Sequence, residues 1–168
     1  MWKIASAFLS LLFISLLFAS CEREGHHVTA SVIDHSDCKG LKSGLVEEPV
    51  PDTLSCISYS YDSFSKTMSL THINAGFNCC PGKLTCDIDI IGDMLVIYEK
   101  EASAGCNCDC LYDLEISVEM LESKRYTVKI VEPYCGNQQK LIFEASLPDY
   151  PAGSFCAIRK QYPWGMGF

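Results

Sequence analysis

The chain has 168 residues, 48% of them hydrophobic, with 13 Lys+Arg against 21 Asp+Glu for a formal charge of −8. That balance excludes a nucleic-acid partner, because phosphate binding needs clustered Lys and Arg and no basic run is longer than Lys124-Arg125. The length suits a single domain that buries its own core.

The chain opens with Lys3, an apolar run from Ile4 to Phe18, and the small residues Ala19-Ser20 before Cys21. A basic start, an apolar centre and a small-residue exit predict a secretory signal. The run is too short to span a bilayer, which takes ~20 apolar residues. Ala19-Ser20-Cys21 resembles the lipobox of bacterial lipoproteins, with Phe18 where that family usually has leucine. The resemblance implies that Cys21 is lipidated on sulfur and becomes the new N-terminus; the plainer alternative is ordinary secretion with cleavage nearby. Residues 1–20 are thus expected to be a lipoprotein-type signal peptide, 21–27 a polar tether, and 28–168 one domain. Removing the leader takes away Lys3 and no acid, so 12 Lys+Arg face 21 Asp+Glu, a charge of −9. Attachment to a membrane would therefore rest on acyl chains, not on anionic headgroups, and stable anchoring takes more than one chain.

Beyond the tether the apolar period is near two, and no stretch holds a 3.6 period. Strands are predicted at Val28–Ile33, Ser55–Tyr61 and Met68–Asn74, with a loop from Cys38 to Pro51. Leu84–Ile91 and Met94–Glu99 flank Gly92-Asp93, a two-residue hairpin turn. Tyr112, Leu114, Ile116, Val118 and Met120 alternate against Asp113, Glu115, Ser117 and Glu119. Tyr126–Val131, Lys140–Leu147 and Phe155–Arg159 follow. Eight to nine short strands predict an all-β antiparallel sandwich. Leu121, five residues before Tyr126, resembles the tyrosine corner of immunoglobulin-like and fibronectin III domains, where the phenol bonds back to the backbone at a sheet crossover. The alternative is a tyrosine buried by its ring alone.

Apart from Cys21 there are ten cysteines: Cys38, Cys56, Cys79, Cys80, Cys86, Cys106, Cys108, Cys110, Cys135 and Cys156. An even count in an exported chain predicts disulfides. If the strand of Tyr112 to Met120 begins as early as Cys106, then Cys106, Cys108 and Cys110 share its inward face; residues two apart on a strand lie ~6.6–6.8 Å apart with parallel side chains, so these three should not pair with one another. Cys79 and Cys80, before the Pro81-Gly82 turn, are expected to bond two of those three. The other six would pair among themselves, with Cys135–Cys156 a natural choice.

The alternative is a zinc or copper site built from His72, Cys79, Cys80, Cys106, Cys108 and Cys110, since thiolate and imidazole suit those metals. Against it stand the absence of paired C-x₂₋₄-C motifs and the oxidising compartment. A third reading makes a cysteine the nucleophile with His72 as base and Asn74 or Asp113 as orienter. No C-x-x-C, Gly-x-Ser-x-Gly, His-Glu-x-x-His or phosphate loop accompanies it, so no catalytic residue and no cofactor is assigned. His72 and Asn74 share the phase of Met68 and Leu70 and should be buried in a hydrogen-bonded network closing a turn at Gly76. Asp87, Asp89 and Asp93 read as a solvated face and not a calcium loop. The tail with Tyr162, Trp164 and Phe168 is expected to cover the open end of the sandwich.

The run Tyr61-Asp62 through His72-Ile-Asn-Ala-Gly-Phe-Asn-Cys-Cys-Pro81, the Cys106/Cys108/Cys110-Leu-Tyr-Asp113 block and Tyr162-Pro-Trp-Gly165 are similar to an uncharacterised family of bacterial lipoproteins. The resemblance implies export and anchoring and carries no activity. The expected protein is a lipid-anchored, disulfide-stapled module of the bacterial cell envelope, at the outer membrane or cell surface, that binds a protein or glycan or serves structurally.

Overall fold

A computed structural model describes residues 27–39 and 50–160. The leader, Cys21, the tether up to residue 26 and the aromatic tail lie outside the described residues. Among the described residues nine strands follow in chain order: β1 (Thr29–His35), β2 (Leu54–Asp62), β3 (Thr67–Asn78), β4 (Leu84–Ile91), β5 (Met94–Glu101), β6 (Asp109–Glu119), β7 (Arg125–Val131), β8 (Ile142–Ser146) and β9 (Ala152–Ile158). They form two sheets, ordered β1-β6-β3-β2-β9 and β4-β5-β7-β8. The fold is the expected all-β sandwich.

Alternation decides which side chains face inward. Tyr112, Leu114, Ile116 and Val118 of β6 are buried, and so are Met68 and Leu70 of β3, Leu95 and Ile97 of β5, and Val128 and Ile130 of β7. Each such side chain contributes about 1.5–3 kcal/mol by leaving water.

Three expectations need correction. The second sheet is mixed, because β5 and β7 run parallel. The chain leaves β5, crosses to the first sheet as β6 and returns as β7, so the intervening strand supplies the crossover that a parallel pair requires. No turn forms at Gly76; β3 continues to Asn78, and its pairing with β6 shifts between His72 and Ala75. Asn74, at φ 63°, is the residue in that bulge, a conformation asparagine tolerates better than most. Finally, β6 begins at Asp109, so Cys106 and Cys108 precede it.

The two ends of the sandwich differ. At one, the entry end, β1 begins and the connections 62–67, 91–94, 119–125 and 146–152 lie together. At the other, the far end, the chain crosses between sheets through 78–84 and 101–109.

The β6–β7 crossover is tied by two phenols. Tyr126 donates to the Glu122 carbonyl at 3.1 Å, and Tyr61 donates to the Leu121 carbonyl at 2.8 Å. The tyrosine-corner bond is therefore made, although such a bond fixes a crossover and not an immunoglobulin topology. Tyr126→Phe should lower stability by about 0.5–1.5 kcal/mol, seen as a lower urea midpoint at unchanged m-value.

Candidate functional site

Among the described residues four disulfides form: Cys38–Cys110, Cys56–Cys156, Cys79–Cys108 and Cys80–Cys106. As expected, Cys79 and Cys80 take two of the C-x-C-x-C cysteines. Cys156, however, bonds Cys56 directly across the β2–β9 ladder, with Cα atoms 4.0 Å apart, and not Cys135. Cys86 and Cys135 remain buried thiols, so two of the ten expected disulfide cysteines are unpaired. Burial first, then the charges of Glu99 and Asp87, push the Cys86 thiol up to about 12. Three of the four bonds converge on residues 106–110. Cys80–Cys106 joins the two connections that cross between sheets at the far end. Asn78 repeats that link without covalency: its Oδ1 accepts from the Cys80 and Cys106 amides at 2.9 and 3.1 Å, and its Nδ2 donates to the Cys106 carbonyl at 2.6 Å. This oxidised pattern belongs to an extracytoplasmic compartment.

Beside it, the Asn74 side chain donates to the carbonyls of Pro51 and Leu54 at 3.1 and 2.9 Å. Its Oδ1 accepts from Lys39 Nζ at 3.0 Å, and Lys39 also pairs with Asp113 at 2.6 Å. Asn74 thus serves the start of β2 and the end of the β1 segment.

Beneath the disulfides lies a layer of buried polar groups drawn from both sheets. His72 on β3 donates through Nδ1 to Glu99 Oε1 of β5 at 2.6 Å, and its Nε2 lies 2.8 Å from Ser55 Oγ of β2. Glu132, just past β7, comes within 3.9 Å of His72 Nε2. Arg159, just past β9, donates through Nη2 to both Glu132 oxygens at 2.6 and 2.7 Å, and through Nη1 to the Gln139 carbonyl at 2.7 Å and to Cys135 Sγ at 3.0 Å. All of these side chains are buried. Two carboxylates face one guanidinium, so the layer is neutral only when the His72–Glu99 pair keeps a proton. Burial alone would push His72 down; the charge and hydrogen bond of Glu99, with Glu132 behind it, outweigh that and Arg159, and His72 is raised. Glu99 is raised too, first by burial and then by Glu132, against the lowering pull of His72 and Arg159. Its Oε2 is buried without a hydrogen-bond partner, so that oxygen gains nothing for its desolvation.

Ser55, His72 and Glu99 have the order and spacing of a serine–histidine–acid triad. Ser55 is nevertheless 0% exposed, and a nucleophile needs an open face to meet a carbonyl. The set as folded is an internal electrostatic clamp. The metal cluster of the sequence reading does not assemble: Cys79, Cys80, Cys106, Cys108 and Cys110 are all oxidised and offer no thiolate, and both His72 nitrogens are engaged. Among the described residues no group of His, Cys, Asp or Glu is placed to hold a metal ion. Asp87 and Asp93 lie at the surface, paired with Lys100 and Lys124.

The second feature is open. On one side β1 packs against β4; on the other, the edge strands β8 and β9 leave a groove of about 610 Å³ at the entry end, lined by Tyr59, Phe143, Phe155, Tyr150, Arg125 and Glu144 among others. Its floor is a stack, with Tyr59 over Phe143 at 5.8 Å and Phe143 over Phe155 at 5.6 Å between centroids. Gly153 makes the stack possible, because a Cβ there would lie 2.9–3.0 Å from the Tyr59 phenol. Tyr150 stands at the rim, 71% exposed. Charge at the rim is mixed, Arg125 pairing with Asp149 at 3.6 Å.

Two measurements test this account. Thiol titration of the denatured, unreduced mature chain should find two free thiols besides Cys21, and a peptide map should place them at Cys86 and Cys135. For the buried layer, both His72 and Glu99 have raised values in the fold, so their contribution is complete at low pH and is lost as pH rises through those values. The urea midpoint should therefore fall as pH rises above the ordinary imidazole value of 6.5, and Glu99→Gln, which leaves Glu132 and Arg159 balanced, should flatten the slope.

Compared with known proteins, the chain matches no family model, no curated protein and no solved structure.

Proposed function

We propose that this chain is an exported, lipid-anchored protein of the bacterial cell envelope, stapled by disulfides, that acts as a binding module through the groove between β8 and β9. The groove is the observation that carries the reading: an aromatic floor, an exposed tyrosine and a polar rim of mixed charge between the edge strands β8 and β9. Binding sites combine apolar surface with a few polar groups that fix orientation, and this groove has both. Export is supported by the oxidised cysteines together with the Lys3-to-Cys21 leader; anchoring is supported by the lipobox-like Ala19-Ser20-Cys21 and by the resemblance to bacterial lipoproteins. The ligand is a segment of a partner protein or a glycan, either of which lays an apolar face on aromatic rings while its polar groups meet Arg125 and Glu144.

Two experiments test the two halves separately. Radioactive palmitate should label the wild type in cells and fail to label Cys21→Ala. Arrays of immobilised glycans and of extended peptides should yield a ligand whose affinity drops about tenfold or more in Tyr150→Ala. A ligand indifferent to Tyr150 and to Gly153→Ala would place binding elsewhere.

A further inference from the structure

The entry end carries two exposed apolar hairpin tips outside the groove lining. Phe64, at the tip of the β2–β3 hairpin, is 97% exposed, and Ile91, at the tip of the β4–β5 hairpin, is 65% exposed beside Ile90 and Met94. Neither tip needs these side chains for its own shape. Asp62 fixes the first turn, its Oδ1 accepting from the Phe64 amide and its Oδ2 from the Ser65 hydroxyl, both at 2.9 Å. Gly92, at φ 63°, makes the second, with Ile91 and Met94 as its last rung. Hairpin tips in water are ordinarily polar, and apolar residues gathered on exposed tips mark a surface that meets something apolar.

The same end receives the chain. β1 begins at Thr29, opposite Glu119 of β6, so a segment leading back to Cys21 departs from the end that presents Phe64 and Ile91. We infer that the two hairpin tips dock on the bilayer, Phe64 and Ile91 entering its interface while the chain is tethered beside them. The orientation rests on the lipid anchor proposed at Cys21. Charge selects the lipid. Lys124 is paired with Asp93 at 2.9 Å and Arg125 with Asp149 at 3.6 Å, and Asp62 and Glu122 are acidic neighbours. Lys66, exposed beside Phe64, is outnumbered at this end by Asp62, Glu119 and Glu122, so no net positive field seeks anionic headgroups and the contact is made by apolar insertion into a zwitterionic surface.

The test uses the mature lipidated chain on phosphatidylcholine vesicles, read by backbone hydrogen exchange. Amides of 63–66 and 91–94 should exchange more slowly on vesicles than in buffer, and Phe64→Asp with Ile91→Asp should abolish the difference. Both sites are solvent-exposed, so the double variant should keep its unfolding midpoint. Adding anionic lipid should not increase protection. An anchored chain whose tips exchange equally with and without vesicles overturns the docking and leaves the anchor standing. A mature chain found without lipid by mass spectrometry overturns the anchor; docking is then decided by whether the unlipidated chain binds the same vesicles about tenfold or more better than the double variant.

Discussion

Charge neutrality inside the sandwich is the constraint on which the rest of the structure depends. Glu99, Glu132, Arg159 and His72 are removed from water together, and an unpaired charge at that depth costs several kcal/mol. The guanidinium neutralises one carboxylate by a two-oxygen contact, and the second is neutral only while a proton sits between Glu99 and His72. These groups come from β3, β5 and the segments just past β7 and β9. The two sheets must therefore hold their relative position to a fraction of an ångström, or the hydrogen bonds lapse while the desolvation cost remains.

The disulfides supply that rigidity where it is needed. They are not spread through the core; three converge at the far end, on or beside the two connections that cross between sheets there, next to the charge layer. Cys80–Cys106 links the two crossing connections to each other, and Asn78 hydrogen-bonds to both sides of the same link. Glu101, two residues beyond Glu99 on β5, accepts from the Asn78 amide at 2.9 Å and from Tyr134. Staple and charge layer are thus continuous through a few residues. Each closed loop contributes about 2–4 kcal/mol by restricting the unfolded chain, and their location adds a positional role that loop entropy does not measure.

The strands were legible because period-two alternation is a local property. Cys79 and Cys80 do bond two members of the C-x-C-x-C block, although Cys106 and Cys108 lie ahead of β6, so the strand spacing from which that was read is not what keeps them apart. Pairing among the other cysteines was not legible: Cys56 meets Cys156 because β9 lies beside β2, a fact of strand order that no local pattern encodes. The charge layer did leave a trace. Glu99 continues the inward phase of Leu95 and Ile97, Glu132 that of Val128 and Ile130, and Arg159 that of Ala157. Three charged residues on core phases, with His72 on a fourth strand, announce a buried ionic group; it is concealed because Glu99 and Arg159 close their predicted strands and Glu132 falls just beyond one. The bulge at Asn74 was hidden for a different reason, because the shift belongs to the pairing with β6 and not to β3 alone.

The architecture divides the molecule along its length. Covalent links and buried charges are concentrated at the far end. The entry end is held by the phenol bonds of Tyr61 and Tyr126, the surface ion pairs Lys124–Asp93 and Arg125–Asp149, and the aromatic stack of Tyr59, Phe143 and Phe155. The groove opens at the entry end, and Gly153 lets the Tyr59 ring lie against the backbone of edge strand β9. The groove and the charge layer therefore lie at opposite ends of the sandwich, with three of the four disulfides beside the charges and none among the residues lining the groove.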